Sequence, residues 1–369
     1  MMIRNRPAFL AIMLALTLSV SALGAGQRRN QQQQQQQQQQ PRGGQVVAEG
    51  AQAVGAVPGE FEAFQKVQNE QNLGNKVALA DAFLTKYPNS EFAGYAHMFR
   101  TVAFAQAGNF KESVAAAEKA LESLAKLEEQ KMSKAEADSK ITDKDRKANV
   151  AYLDKDSPQF QTFISETEQR IIGLYQSIMS SYQQLNDAKK VMEYGEKALL
   201  VKPGDFNTLK TLSNVMAERP PAADPDRATH LKHAEELSNE ALAALAPFMA
   251  TPAWTQLPND QKAEMTSSLH YTLGLVYLNQ KKFADSEKEF LAAKSAKPND
   301  SITWFRLGIA YAQDNRLDLA MDALAKSVFL KGVPEPQARS ILKQLYESKN
   351  KSSEGMEDFI NKAGQNIGQ

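Results

Sequence analysis

The sequence predicts an all-α fold of stacked helical hairpins behind a low-complexity N-terminal segment. Three observations lead there. From Phe61 onward, apolar residues recur at spacings of three and four, with little of the strict alternation that a half-buried strand requires. The helical segments come in pairs, broken by turn residues such as Tyr87-Pro88-Asn89-Ser90 and Gly108-Asn109. The clearest pairs also repeat: Gly274 is followed 34 residues later by Gly308, inside matching surroundings.

The elements follow in chain order. Arg4 and Arg6 precede an uncharged, mostly apolar run from Ala8 to Ala22, and small residues follow at Gly24, Ala25 and Gly26. A basic start, an apolar stretch and a small-residue site are the layout of a secretory signal peptide over residues 1–24, with cleavage after Gly24 or after Ala22. The run falls just short of the roughly 20 residues of a spanning helix. Retained, the same segment would be a membrane anchor. Residues 25–59 hold the tract Gln31 to Gln40 and then a Gly, Ala and Val stretch. Such composition buries too little apolar surface to offset its ordering entropy and reads as a flexible tether, or as a slippage-prone repeat with no role.

Residues 60–130 read as two degenerate hairpins, the second marked by Phe104, Gly108-Asn109-Phe110, Ala117 and Ala120. Residues 131–164 belong to a stretch, from about Leu127, that is dense in Lys, Glu and Asp; it reads as a solvated helix extension or a linker. In residues 165–250, Tyr175, Ile178, Tyr182, Ala198 and Pro203 mark one hairpin, and Phe206 opens another. The second helix of that one waits until about Ala228, behind an insertion with Pro220, Pro221 and Pro225, which cannot continue a helix. Residues 263–334 hold the two clear copies. There Leu273 aligns with Leu307, Gly274 with Gly308, Tyr277 with Tyr311, Phe283 with Leu317 and Phe290 with Leu324. Residues 335–369 place Ile341, Leu342, Leu345, Met356, Phe359 and Ile360 on two short helices, a cap for the last of about six hairpins.

The two clear copies resemble the tetratricopeptide repeat, which asks for a bulky residue, then Leu-Gly, then Tyr, and later small, aromatic, small and proline positions. The first supplies Leu273, Gly274, Tyr277, Phe290, Ala293 and Pro298; the second supplies Trp304, Leu307, Gly308, Tyr311 and Ala320. Ser286 departs from the pattern in the first copy, as do Leu324, Ser327 and Gly332 in the second. The resemblance implies a right-handed superhelical solenoid of helix-turn-helix hairpins, whose first helices line a groove that grips peptides or partner helices. Carried over by alignment, the gripping positions are Tyr271, Leu275 and Leu278 on one hairpin, and Phe305, Arg306, Ile309 and Gln313 on the next. On the hairpin at Phe206 they are Lys210, Asn214 and Glu218; on the one at Ile172 they are the polar Gln176, Ser180, Gln183 and Gln184. Some family members clamp a C-terminal carboxylate on three successive first helices. Lys210, Asn214 and Arg306 match part of that set, while Thr272 and Ile302 replace an expected asparagine and lysine. The apolar end of the wall, Tyr271, Leu275, Phe305 and Ile309, either meets a partner or lies under the array's own terminal helices.

Chemistry is sparse in this sequence. There is no cysteine among the 369 residues, which excludes disulfides, thiolate catalysis and thiolate zinc sites. No P-loop, GxGxxG, HExxH or GxSxG is present, so neither a catalytic site nor a cofactor is expected. His230 and His233 stand one helical turn apart beside Glu235 and Glu236, but lack a third ligand at a recognised spacing and read as surface histidines. The first 42 residues hold five arginines and no acid, leaving 38 basic against 43 acidic residues and a net charge of −5 on the rest. A mildly acidic body lacks the clustered basic face that nucleic acid requires. The expectation is therefore an exported scaffold or adaptor, periplasmic or secreted, that holds a protein or peptide. The alternative is a membrane-tethered assembly factor.

Overall fold

The computed structural model describes residues 57–141, 152–220 and 226–367, with the side chain of Ala253 left aside. The expected signal peptide, the glutamine tract, residues 142–151 of the charged stretch, and Pro221 and Pro225 lie outside the described residues. Among the described residues there are 15 helices and no strand. They fall into two compact units, one ending at Lys202 and the other beginning at Pro203.

The first unit contains α1 (Glu60–Asn69), α2 (Leu73–Lys86), α3 (Ala93–Gln106), α4 (Phe110–Asp138), α5 (Pro158–Gln184) and α6 (Ala188–Val201). Each odd-numbered helix packs on the even-numbered one that follows it, and α2 on α3 and α4 on α5 join the pairs. Its leading core is aromatic: Phe64 stacks on Phe92 with ring centroids 4.6 Å apart, and Phe83 and Tyr87 close the other side. The charged stretch resolves into structure at both ends. The second helix of the second hairpin continues to Asp138, because Leu124, Leu127 and Ala135 keep one face buried beneath the surface charges. Asp138 then ends it, accepting from Lys134 Nζ at 2.5 Å and from the Leu153 amide at 2.8 Å.

The second unit contains α7 (Phe206–Glu218), α8 (Asp226–Met249), α9 (Pro252–Gln256), α10 (Asn259–Asn279), α11 (Phe283–Ala296), α12 (Ser301–Gln313), α13 (Leu317–Phe329), α14 (Glu335–Asn350) and α15 (Met356–Gln365). Here α7 pairs with α8, α10 with α11 and α12 with α13, while α14 and α15 both pack on α13. Helix α10 begins eight residues before Ser267, where the repeat frame would open it. The short α9, capped by Thr251, was not legible in the spacing.

Two local devices recur. Aspartates start first helices: Asp205 accepts from the Thr208 amide and Asp300 from the Thr303 amide, both at 3.0 Å, satisfying donors that the helix leaves free. Left-handed residues end them: Gly108, Asn186, Lys281 and Asn315 have φ of 79°, 60°, 61° and 59°. In each case the following amide returns to a carbonyl five residues back, as from Lys282 to Tyr277 and from Arg316 to Tyr311.

The repeated glycines sit where the helices of a hairpin touch. A Cβ on Gly274 would lie 2.8 Å from the Phe290 ring, and one on Gly308 would lie 2.7 Å from Leu324 Cγ. Ser286, a departure from the repeat pattern, is fully buried and donates to the Gly274 carbonyl at 2.8 Å. Ser113 does the same for Thr101 at 3.0 Å. A small hydroxyl thus serves in place of alanine at this crossing, provided a carbonyl accepts its hydrogen bond.

Candidate functional site

Three successive first helices, α7, α10 and α12, bring side chains together across their faces. Tyr271 Oη donates to Glu218 Oε1 at 2.8 Å, and Arg306 Nη2 donates to the other oxygen, Oε2, at 3.1 Å. Arg306 Nε also reaches Tyr271 Oη at 3.4 Å. One residue from each helix therefore closes a small polar network. Burial pushes the Tyr271 hydroxyl well above the usual tyrosine range, with Glu218 adding to the effect, so it stays a neutral donor. Burial alone would lower Arg306, but Tyr271 and Glu218 outweigh it and its pKa is raised. Arg306 and Glu218 each keep about a third of the side chain exposed, so the network is reachable from solvent.

Lys210 and Asn214 stand one turn apart on α7. Asn214 Nδ2 donates to Thr272 Oγ1 at 3.2 Å, so the threonine found in place of the expected asparagine is already occupied. Lys210 is half-buried and carries no ion pair among the described residues; burial lowers its pKa, against the opposing pull of Glu264. Lys210, Asn214, Tyr271 and Arg306 thus form a polar wall, while Gln313 is exposed at the end of α12. The corresponding Gln176, Ser180, Gln183 and Gln184 of α5 are half-buried in the other unit.

The apolar part of the expected wall is corrected by the structure. Leu275, Leu278 and Phe305 are only 3%, 6% and 8% exposed, so their side chains belong to the core and are not presented to a partner. Phe305, with the half-buried Ile309, packs into one cluster with Met321, Leu324 and Val328 of α13, Leu342 of α14, and Met356 and Ile360 of α15. The reason is physical: the last hairpin of an array has an apolar flank with no neighbour, and the terminal helices bury it. Of the two alternatives, the terminal helices cover Phe305 and Ile309.

The repeat positions fall mostly in the core: Leu273, Phe290, Ala293, Trp304, Leu307, Tyr311 and Ala320 are buried. Tyr277 is half-buried, and Pro298 is exposed in the α11 to α12 connection, where its carbonyl accepts from Trp304 Nε1 at 2.8 Å. Sequence reasoning missed what ties consecutive hairpins together. Glu287 of α11 accepts from Tyr311 Oη at 2.9 Å and from Arg316 at 2.5 Å, and the Arg316 guanidinium lies 4.7 Å from the Tyr311 ring centroid. One repeat earlier, Glu235 of α8 pairs with Lys282 at 3.0 Å, and Lys282 lies 5.3 Å from the Tyr277 ring centroid. A cation five residues after each tyrosine was the available signal; the acid comes from a preceding helix at no fixed spacing.

The histidine pair makes separate contacts: His230 Nε2 sits 2.9 Å from the Met216 carbonyl oxygen, and His233 Nδ1 lies 3.7 Å from Glu236. No group of three or more His, Cys, Asp or Glu residues converges among the described residues. No helix among them is long and apolar enough to cross a membrane.

The tetratricopeptide repeat family model matches residues 271–332, the stretch from Tyr271 to just past α13. A peroxisomal targeting signal receptor of Candida albicans is 32% identical over 114 residues, 31% of this chain. The chain spans 17% of that receptor's length. A tetratricopeptide repeat protein from Parabacteroides merdae is 12% identical, with 84% of this chain and 99% of that one covered and a TM-score of 0.45. A thermophilic counterpart from Thermus thermophilus is 14% identical, with 69% and 99% covered and a TM-score of 0.39.

Proposed function

We propose that this tetratricopeptide-repeat protein is an exported scaffold that holds a segment of another protein against the polar wall of α7, α10 and α12. The observation that carries this reading is the Glu218, Tyr271 and Arg306 network, with Lys210 and Asn214 beside it. It spans three first helices, is partly open to solvent, and presents an arginine and a lysine on one face. Arginine and tyrosine supply much of the binding energy in protein interfaces, because they combine a broad apolar surface with fixed hydrogen-bonding groups. Binding fits this wall better than catalysis: its groups are held in mutual hydrogen bonds, with no nucleophile set beside a base. Residues 1–24 support the exported location by their signal-peptide layout.

Crosslinking in intact cells, followed by identification of the captured protein, names the partner. Arg306→Ala together with Lys210→Ala should then reduce capture at least about tenfold, equivalent to ~1.4 kcal/mol, at unchanged helical content. Capture at the wild-type level by a folded double variant rules out this wall as the binding surface. Sequencing the N-terminus of the mature protein tests the exported part: a chain starting after Ala22 or Gly24 supports it, and one starting at Met1 opposes cleavage.

A further inference from the structure

The last helix of the second unit has the properties of a docked ligand that happens to be covalently attached. Helix α15 is ten residues long, below the about 12–15 residues at which an isolated helix becomes even marginal in water. It is therefore helical because it is docked. Its docking face is Met356, Ile360 and Ala363, at spacings of four and three, all buried, and Ile367 just past its end is buried as well. The seat is built from Phe305, Met321, Val328, Ala338 and Leu342 of α12, α13 and α14. Gly364 makes the closest approach, where a Cβ would lie 2.2 Å from the Phe329 ring. The seat thus fits a helix with glycine at that one position, which is a demanding specification.

The connection to α14 is a short exposed loop. Residues 351–355 are all exposed, with Lys351 and Gly355 left-handed at φ of 62° and 80°. Apart from the exposed pair of Arg339 and Glu357, and Tyr346, which packs its ring on Phe359 at 5.7 Å and donates to the Glu354 carbonyl, little charge or polarity fastens α15 to α14.

We infer that α15 is an exchangeable helix and that its seat on α12, α13 and α14 accepts the α15 of a second copy of this chain, giving a dimer swapped at the C-terminus. A second copy meets the glycine requirement by identity, and each exchange restores the contacts it breaks, so the swap costs little beyond the entropy of association. The helix in its own chain competes at a high effective concentration, so the dimer fraction rises with protein concentration.

The full chain is tested by light scattering across concentration. A dimer that grows with concentration, and whose formation is weakened about tenfold or more by Ile360→Asp, is expected. A wild-type chain that stays monomeric throughout overturns the inference. Because the chain has no cysteine, the exchange itself can be read covalently. Phe329→Cys and Gly364→Cys chains, mixed at high concentration and then oxidised, should form a disulfide-linked dimer that neither forms alone. A dimer that cannot be trapped in this way, while the double variant closes its bridge within one chain, uses another interface and equally overturns the inference.

Discussion

At the scale of the residue, the clear repeats are joined by single carboxylates. Glu287 accepts hydrogen bonds from Arg316 and Tyr311, and the Arg316 contact is the main reason its carboxyl is held below the usual carboxylate range; burial pushes the other way and loses. A carboxylate whose pKa falls on folding stabilises the folded state at pH values above its unfolded pKa, about 4.3. That contribution disappears as pH falls through the lower folded value. Glu287 is 22% and Arg316 40% exposed, so solvent screens the pair and its contribution to stability is small. Glu287→Gln should lower the urea midpoint slightly at pH 7. Its deficit should begin to shrink as pH falls below about 4.3 and vanish once pH passes the lower folded value, where the wild-type carboxylate is also neutral. An equal deficit at both pH values would mean that the amide disturbs packing rather than charge.

The hairpin is the next scale, and here the fixed contact is the glycine crossing. Gly308→Ala puts a methyl 2.7 Å from Leu324 Cγ and 3.3 Å from the Leu324 backbone nitrogen, so α12 and α13 must separate. Overpacking of this kind costs about 1–3 kcal/mol, and Leu324→Ala in the same chain should not restore the loss, because it adds a cavity. A denaturation midpoint unchanged by Gly308→Ala would show that the helices are not in contact there. This crossing was legible in the sequence because sterics at a helix contact admit few residue types, and Gly274 and Gly308 announce themselves by their spacing. The helices of the weaker hairpins were legible for the same reason, through Tyr182, Ala198 and Pro203. The binding positions were not, since Leu275, Leu278 and Phe305 satisfy the alignment of an exposed wall and the composition of a core equally well. Only packing decides between those roles, and the decisive neighbours, α14 and α15, lie 30 to 60 residues away from Phe305 with no repeat frame to place them. Glu218 was read as a wall position, but its bonds to Tyr271 and Arg306 run across 53 and 88 residues of chain.

For the whole molecule, the arrangement of contacts matters more than their sum. Helices pack mainly on their sequence neighbours, α3 on α4 and α12 on α13, so stability approximates a chain of hairpin terms and nearest-neighbour interface terms. Damage at one hairpin should then spread no further than the coupling between neighbours carries it. Hydrogen exchange on the full Gly308→Ala chain tests this directly. Amides of α12 and α13 should exchange faster by the factor that the stability loss predicts, about tenfold for each 1.4 kcal/mol. Those of α14 and α15 should follow, since both rest on α13 and have no other hairpin to hold them. Helices α1 to α6, which belong to the other compact unit, should keep their wild-type rates. A uniform acceleration from α1 to α15 would instead mean that the chain opens as one cooperative body, and a scaffold of that kind could release a bound segment only by unfolding throughout.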